Sequence, residues 1–334
     1  MNQKRTGSHA GFWIGIGILV ILLTLSLAFN AGFLVSTAGR DGLGEEEEGE
    51  DEFPSMTETW SYGSGETKAA RIALTGPIFR NSEETLFGVP IDKIELTLRQ
   101  IRAARGDEDV RAIVFEVDSP GGDLTASDEI RQALLDFKRS DEGRKVVVFV
   151  RDMAASGGYY ISTPADWLIA EPTAVIGSIG VILQTLNLKG LSEKIGVTDT
   201  TIKSGANKDL LNPFHDVPPE QIALLQDLID RFYRRFFDIV LESRGMKPDE
   251  LRSIADGRIL AAEDALQSRL IDQLGYWEDA VAKTAELLGE ESVKIVRYEH
   301  RPRLLDLLYG IHLPLRIADR LGAQTPRFMY LWRP

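Results

Sequence analysis

Hydrophobic residues follow two different periods along the chain, and the two kinds of segment alternate. Short apolar runs at 71–74, 112–117, 145–150 and 167–170 predict buried strands. Apolar residues three or four positions apart predict helices over 92–104, 124–138, 219–244, 262–268 and 276–288. Strands that alternate with helices in this way form βαβ units, so the sequence predicts an α/β protein with a largely parallel sheet.

The N-terminal region contains one long segment without charge, over residues 11–35. About 20 apolar residues suffice to cross a bilayer. A cleaved signal peptide is the alternative, but its apolar region is usually shorter and ends in a small-residue cleavage site, which is poor here. The sequence therefore favours an uncleaved transmembrane anchor, preceded by a cytoplasmic segment at 1–10. Lys4 and Arg5 precede the anchor and acidic residues follow it, so the rest of the chain is expected outside the cytoplasmic membrane.

Composition divides the remainder into three parts. Residues 36–66 are rich in Glu, Ser, Thr and Gly, which predicts a flexible acidic linker. A folded domain is expected over 67–298. Residues 299–334 combine an apolar stripe with six arginines and several aromatic residues, which predicts a basic amphipathic tail. This tail could pack back on the domain, contact a membrane surface or a partner, or cover an active-site groove.

Charge and residue usage exclude several classes of function. A net charge of −13 argues against nucleic acid as the partner, because phosphate binding needs a basic surface. The absence of cysteine excludes disulfides, thiolate metal sites and a cysteine nucleophile. The four histidines are scattered and form no metal-ligand pattern, so neither a metal nor another cofactor is expected.

One serine stands among small residues where a predicted strand gives way to a predicted helix. Ser156 has Ala on one side and Gly157 on the other, which leaves its hydroxyl uncrowded. Backbone N–H groups at such a turn are available to an oxyanion, as a serine nucleophile requires. The alternative is an ordinary serine that caps the following helix.

A serine nucleophile needs a base, and the candidates are few. His215 is the first histidine after Ser156, and it lies among prolines in a predicted exposed loop. An unprotonated lysine can replace histidine if burial or a nearby cation lowers the lysine pKa. The segment 201–209 offers two lysines. Lys208 lies in a turn of small residues, whereas Lys203 ends a β-like run and could be a solvated edge residue; spacing alone does not decide between them.

Two other turns of small residues are candidates for supporting roles. Gly121 and Gly122 follow a predicted strand, and glycine lets backbone N–H groups approach a carbonyl closely. Ser178 lies in a Gly-Ser-Ile-Gly turn, where its hydroxyl could accept a hydrogen bond from a lysine amine. Either turn could instead be purely structural.

Five motifs occur in an order that resembles one known family. They are SPGG at 119–122, AASGGYY at 154–160, GSIGV at 177–181, KSGANKD at 203–209, and DGRI followed by LIDQLG within 256–275. With the N-terminal anchor, they make the chain similar to the signal peptide peptidase A family of membrane-bound Ser-Lys proteases. The resemblance covers about residues 70–298. Arg269 and Ala261 depart from residues common in the family, and both lie outside the proposed chemistry.

The resemblance implies a role for each motif. It makes Ser156 the nucleophile and Lys208 the general base, with Gly121 and Gly122 in the oxyanion loop and Ser178 beside the lysine. It also implies a Clp protease/crotonase-like fold of ββα units and a ring-shaped homo-oligomer in which serine and lysine approach across subunits. Extended apolar peptides, including signal peptides, are the expected substrates.

Two alternatives to a peptidase are compatible with the same fold. A crotonase-type acyl-CoA enzyme also uses a Gly-Gly oxyanion loop, but no basic site for the CoA phosphates is obvious in the sequence. An inactive membrane scaffold would keep the fold without the chemistry. The presence of both Ser156 and Lys208 argues against such a scaffold.

Overall fold

A computed structural model describes most of the chain. The described residues are 10–38, 54, 56–80, 82–83, 91–299 and 328–332. Predictions for residues 1–9, for most of the linker and for the tail between 300 and 327 lie outside them. The chain divides into two compact units, Met1–Glu50 and Asp51–Pro334.

The described part of the first unit is one helix, α1 (Ala10–Ala38). Its large apolar side chains between Ile18 and Phe29 are exposed. A search of the described residues identified no helix with the length and apolar character needed to cross a membrane. The segment predicted as an anchor, 11–35, is therefore helical, while its membrane crossing stays a prediction.

The second unit alternates strands with helices, as the hydrophobic pattern predicts. Its described helices are α2 (Lys93–Gly106), α3 (Leu124–Ser140), α4 (Gly157–Ser162), α5 (Lys189–Ile195), α6 (Pro219–Arg244), α7 (Pro248–Arg252), α8 (Ala262–Gln267) and α9 (Trp277–Leu288). Its described strands are β1 (Thr57–Tyr62), β2 (Lys68–Thr75), β3 (Ser82–Glu83), β4 (Ile91–Asp92), β5 (Val110–Ser119), β6 (Gly121–Asp123), β7 (Lys145–Ala155), β8 (Trp167–Ala170), β9 (Val175–Gly177), β10 (Ile182–Leu183), β11 (Ile259–Ala261), β12 (Gln273–Leu274), β13 (Lys294–Glu299) and β14 (Phe328–Leu331).

The main sheet is largely parallel, which confirms the predicted α/β class. Among the described strands it runs in the order β1-β13-β2-β5-β7-β8-β12, and β9 and β11 branch from β7. Every neighbouring pair from β13 to β12 is parallel, as is β7 with β9. β1 pairs with β13, and β11 pairs with β9, in the antiparallel direction.

Helices cover both faces of this sheet. Because side chains alternate along a strand, Val146, Val148 and Val150 of β7 pack with α2 and α3, whereas Val147 and Phe149 pack with α9. The near-continuous apolar run of β7 is therefore the signature of a strand buried on both faces. The core around this strand holds the end of β7, at Ala155, in place.

Strand β1 corrects the predicted linker at 36–66. Residues 57–62 pair with β13 at the edge of the sheet, and Lys68 Nζ lies 2.9 Å from a carboxylate oxygen of Glu58. Ser, Thr and aromatic residues in alternation suit a half-exposed edge strand as well as they suit a linker. Regular structure of the domain is therefore present from Thr57 onward, earlier than the predicted residue 67.

The described part of the predicted tail at 299–334 is a strand. β14 pairs with both β10 and β6, and the three form a small antiparallel sheet. The sequence left several roles open for the tail. For residues 328–331 the structure shows one of them, which is packing against the domain.

Helix α6 has the bounds that its sequence predicts, and it ends at Gly245, which has φ 57°. Phe236 and Val240 are its buried apolar residues. The helix thereby presents aromatic side chains to the part of the domain that contains β14 and α4.

Candidate active site

Ser156 lies between the end of β7 and the first residue of α4. Its backbone has φ 54° and ψ −115°, a conformation that costs a non-glycine residue about 1–3 kcal/mol. Its N–H donates to the carbonyl of Gly177 at 2.8 Å, and its carbonyl accepts from the N–H of Tyr160 at 2.9 Å. The turn is therefore held in its strained conformation by hydrogen bonds on both sides.

The hydroxyl of Ser156 is not used as a helix cap. The side chain makes no capping hydrogen bond to α4, and no hydrogen bond joins it to another described residue. Ser156 is 1% exposed in the single chain. A strained, buried serine with an uncommitted hydroxyl is better explained by chemistry than by helix capping, because a cap would use the oxygen.

The predicted oxyanion glycines lie directly beside this serine. Gly121 has φ 93°, and a Cβ there would lie 2.5 Å from the nitrogen of Gly157. A Cβ at Gly157 would lie 2.7 Å from Ser127 Oγ and 3.1 Å from the Cα of Gly121. The loop that follows β5 and the turn that follows β7 therefore approach so closely that only glycine fits at these two positions.

The hydrogen bonds separate the roles of the glycines. The N–H of Gly121 donates to Ser119 Oγ at 3.1 Å, and that hydroxyl donates to the carbonyl of Gly76 at 2.8 Å. Gly121 therefore shapes the loop, and its N–H is already used. The N–H of Gly157 is at the first position of α4, where no partner exists within the helix. Gly157 is consequently the better candidate to bind an oxyanion, and Gly122, which lies opposite Tyr330 of β14, is the second candidate.

Ser178 also lies at this edge of the sheet. It follows β9, in which Gly177 lies beside Ala155 of β7. Ser178 has φ 51°, is 6% exposed and donates its N–H to the carbonyl of Arg258 at 2.7 Å. The structure thus brings Ser178 to the same strand ends as Ser156, while its predicted contact with a lysine is not formed among the described residues.

The two candidate lysines lie together on an exposed loop and differ in their partners. Lys203 Nζ binds both carboxylate oxygens of Asp209 at 2.7 and 2.9 Å, and this bond lowers the pKa of Asp209. The side chain of Lys208 makes no hydrogen bond or ion pair with another described residue, and only its backbone N–H is engaged, by Gly205. Lys203 is therefore committed to a carboxylate, whereas Lys208 is available. The single chain does not join Lys208 to Ser156.

His215 lies in an exposed loop, as predicted, and its Nε2 is 3.1 Å from Asp199 Oδ2. With Lys203 and Asp209 it lines a cavity of about 490 Å³. Ser156 does not line this cavity. Among the described residues, no group of three or more His, Asp or Glu side chains is placed to hold a metal ion.

Tyr160 is a site residue whose role the sequence did not reveal, although it lies within the AASGGYY motif. Burial, together with a 2.6 Å hydrogen bond to Asp128, raises the pKa of Tyr160 to about 12. The phenol therefore remains protonated at neutral pH, and its ring packs against Phe236 while its backbone N–H binds the carbonyl of Ser156. Its position four residues after Ser156, one helical turn further on, is the signal that could have identified it.

A partly buried carboxyl group, that of Asp118, lies just before the glycine loop. Burial raises the pKa of Asp118, and the nearby carboxylate of Asp152 adds to this effect while Arg151 opposes it. Asp118 directly precedes Ser119, so the approach to the glycine loop is acidic.

A serine held at the end of a parallel strand, beside backbone N–H groups that converge from a neighbouring loop, defines the class of serine-type hydrolases. Residues 138–291 match the model of peptidase family S49. The chain is 33% identical over 305 residues to an Enterococcus faecium protein that carries the name signal peptide peptidase SppA, and the match covers 90% of this chain and 86% of that protein. It is 34% identical over 258 residues to a Synechocystis protein named as a protease, with 76% and 88% covered. It is 37% identical over 214 residues to Protease 4 of Salmonella typhi, which covers 64% of this chain but 34% of that longer protein.

The chain therefore belongs to the signal peptide peptidase A family, within peptidase family S49, which confirms the resemblance seen in the motifs.

The close packing of the glycine loop leads to a test by substitution. A Cβ at Gly122 would collide with the carbonyl of Ile78, so we expect Gly122→Ala to lower the free energy of unfolding by about 2 kcal/mol or more and to reduce peptide hydrolysis. Gly190→Ala on α5 is the matched control, because a Cβ there meets no atom within 4 Å. Urea denaturation of both variants checks this, and equal stability would show that the loop does not constrain position 122.

Proposed function

We propose that this protein is a serine endopeptidase that cleaves extended apolar peptides, signal peptides among them, with a Ser156–Lys208 dyad. The observation that carries the proposal is the buried, uncommitted hydroxyl of Ser156 beside the backbone of Gly121, Gly122 and Gly157. Membership of a peptidase family supports the reaction, and the names of the relatives support the substrate class. The predicted Clp protease/crotonase-like arrangement of ββα units belongs to the same proposal.

The chemistry follows from these groups. The neutral amine of Lys208 takes the hydroxyl proton of Ser156, and Oγ attacks the carbonyl carbon of the peptide bond. The N–H groups of Gly122 and Gly157 stabilise the resulting oxyanion. The Lys208 ammonium protonates the leaving nitrogen as the C–N bond breaks, which leaves an acyl ester on Ser156. Water then attacks this ester with Lys208 as the base, and the acid product leaves.

In the single chain Lys208 is not joined to Ser156, and assembly of several chains would bring the two residues together. Lys208 lies on an exposed loop, and the segment that precedes it in the chain carries several exposed large apolar side chains: Leu186, Leu191, Ile195, Val197 and Ile202, the last of which is 98% exposed. Apolar surface of this kind favours a protein partner. We infer that a second copy of this chain covers it in a ring-shaped homo-oligomer, and that the ring brings Lys208 of one subunit to Ser156 of the next.

The proposed location is the outer face of the cytoplasmic membrane. This proposal rests on the sequence alone: the uncharged segment 11–35, with Lys4 and Arg5 before it and acidic residues after it. The helix that covers this segment was not identified as a membrane span.

Substitution of the dyad residues tests the proposal, with a quenched, apolar fluorogenic peptide as the substrate. We expect Ser156→Ala and Lys208→Ala each to lower kcat by about 10³-fold or more, because loss of one residue of a catalytic unit costs about as much activity as loss of the whole unit. Lys203→Ala is the matched control and should keep most activity, because Lys203 is paired with Asp209. An inactive Lys203→Ala variant together with an active Lys208→Ala variant would make Lys203 the general base instead of Lys208. No turnover by well-assembled wild type would favour the inactive scaffold.

Sharing of the site between subunits is tested by mixing two inactive variants. Co-expressed Ser156→Ala and Lys208→Ala chains should recover about a quarter of the wild-type activity, because one neighbouring pair in four then combines an intact serine with an intact lysine. Mass photometry of the mixture establishes that mixed rings form. Mixed rings without activity would place both residues of the dyad in one subunit.

The membrane anchor is tested by fractionation. The wild-type chain should stay in the membrane pellet after a carbonate wash, and protease added to spheroplasts should reach its folded domain. Leu22→Arg with Leu25→Arg should release the chain, because each arginine costs about 2.5–3.5 kcal/mol at the centre of a membrane helix. The matched control is Leu22→Ile with Leu25→Ile. A wild-type chain found in the soluble fraction would refute the anchor.

A further inference from the structure

The turn that follows β2 is joined to the glycine loop by main-chain hydrogen bonds. We call residues 76–78 the bracing turn. The N–H of Ile78 donates to the carbonyl of Gly121 at 2.8 Å, and the carbonyl of Ile78 accepts from the N–H of Asp123, also at 2.8 Å. Ile78 is fully buried, so water does not compete for these bonds. One edge of the glycine loop is therefore held by a segment that lies far earlier in the chain.

These two bonds determine the direction of the Gly122 N–H. They form a parallel bridge between Ile78 and Gly122, in which the bonded groups belong to the two neighbours of Gly122. The peptide between Gly121 and Gly122 is trans, so its N–H points opposite to its carbonyl. The N–H of Gly122 therefore points away from Ile78. A Cβ on Gly122 would lie 2.1 Å from the carbonyl oxygen of Ile78, so the loop has no room to move toward the bracing turn.

The hydroxyl of Ser119 completes the connection between the two segments. It donates to the carbonyl of Gly76 in the bracing turn at 2.8 Å and accepts from the N–H of Gly121 at 3.1 Å. A serine hydroxyl has one hydrogen and two lone pairs, so it can donate and accept at the same time. Ser119 is fully buried. Without the hydroxyl, the N–H of Gly121 and the carbonyl of Gly76 would both lose this partner in a place that water does not reach.

The backbone of Ser119 also contacts the turn that carries the nucleophile. Ser119 lies beside Ala154 of β7, two residues before Ser156. A Cβ on Gly158 would lie 2.4 Å from the carbonyl oxygen of Ser119 and 3.3 Å from its Cβ. Ser119 thus packs against the first turn of α4 through atoms that alanine also has, whereas it bonds the glycine loop through an oxygen that alanine lacks. Removal of the hydroxyl alone therefore tests the second contact without the first.

We propose that Ser119 is a positioning residue of the oxyanion site, and that its hydroxyl holds the Gly121–Gly122 peptide in the orientation that presents the N–H of Gly122 to the reacting carbonyl. This rests on the proposed function, because an oxyanion forms only if Ser156 attacks a carbonyl. Donors of an oxyanion site must be in place before the charge develops. A displacement of about 1 Å can cost about 100-fold in rate, so a hydroxyl that acts only through Gly121 has a large effect on the reaction.

The kinetic test compares Ser119→Ala with Thr284→Val in the full chain. Ser119→Ala keeps the Cβ beside Gly158, and we expect it to lower kcat about 10–100-fold while KM stays within about twofold. Thr284→Val is the matched control, because Thr284 is fully buried on α9 and its hydroxyl donates to the carbonyl of Ala280 at 2.7 Å. Its kcat should stay within about twofold of wild type. If both variants lose stability to urea and both keep kcat, Ser119 is only structural and the proposal is wrong.

A second test measures the oxyanion site through a stable adduct. The probe is a peptide aldehyde with the acyl-side residues of the fluorogenic peptide. Oγ of Ser156 bonds to the aldehyde carbon, the C=O π pair moves to the oxygen, and the hydroxyl proton passes to Lys208, so the adduct carries an oxyanion like that of the reaction. The corresponding peptide alcohol forms no such bond and serves as the control probe.

Ser119→Ala should weaken inhibition by the aldehyde about as much as it lowers kcat, and should leave inhibition by the alcohol within about twofold of wild type. This pattern places the effect of Ser119 in the oxyanion site. Equal weakening of both probes would show a general change in peptide binding and would overturn the proposal.

Hydrogen exchange separates this proposal from the proposed function. If the wild-type chain hydrolyses no peptide and binds the aldehyde no better than the alcohol, the peptidase proposal fails. Exchange of the backbone amides of residues 119–123 then tests the positioning by itself. Ser119→Ala should speed this exchange at least about tenfold, whereas Thr284→Val should leave it unchanged. Unchanged exchange in Ser119→Ala would refute the positioning role, whether or not the protein is a peptidase.

Discussion

The pairing of β7 on both of its edges is the constraint on which the site depends. β5 lies along one edge, and β9 takes the other edge where β7 ends, so that Ala154 is beside Ser119 and Ala155 is beside Gly177. Ser156 follows immediately, with its N–H bonded to Gly177. A strained serine needs a rigid surrounding, and a strand paired on both sides at its last residues supplies one. The glycine loop after β5 and the Ser178 turn after β9 reach the serine because parallel strands end at a common edge.

The parts of the fold that the sequence predicts correctly are those that local periodicity determines. β8 and α6 have the predicted bounds, and β5, α3 and α9 differ by a few residues at most. The apolar faces of these elements are long enough to show their period in the sequence alone. β7 extends beyond the predicted residue 150 because it pairs with β9 from Met153 to Ala155, although Arg151 and Asp152 interrupt the apolar run.

The elements that the sequence misses are short or depend on distant partners. β6, β9, β11 and β12 contain two or three residues each, too few to show a period, and they exist because another strand lies beside them. β1 resembles a linker in composition, and its partner β13 is more than 200 residues away along the chain. β14 was predicted only as part of an amphipathic tail, since nothing in FMYL indicates which strands it pairs with.

In the candidate site, too, some features follow from local sequence and others depend on residues that are distant along the chain. Motifs identify Ser156, the glycines and Ser178, and the structure brings these residues together at one edge of the sheet. Spacing does not separate the two lysines. They differ in ion pairing, and the carboxylate partner of Lys203 is visible only in three dimensions. The single chain does not join Lys208 to Ser156, so their approach belongs to the proposed assembly.

Tyr160 belongs to two structures at once, because it is part of the hydrophobic core and its ring also stacks on Tyr330 of β14. Phe236 is shared in the same way, whereas Phe232 is only half-buried. A substitution at Tyr160 or Phe236 therefore alters the core and the packing of β14 together. The packing of β14 could change more freely at Phe232, whose ring contacts Phe328 and whose side chain can be replaced without opening a cavity in the core.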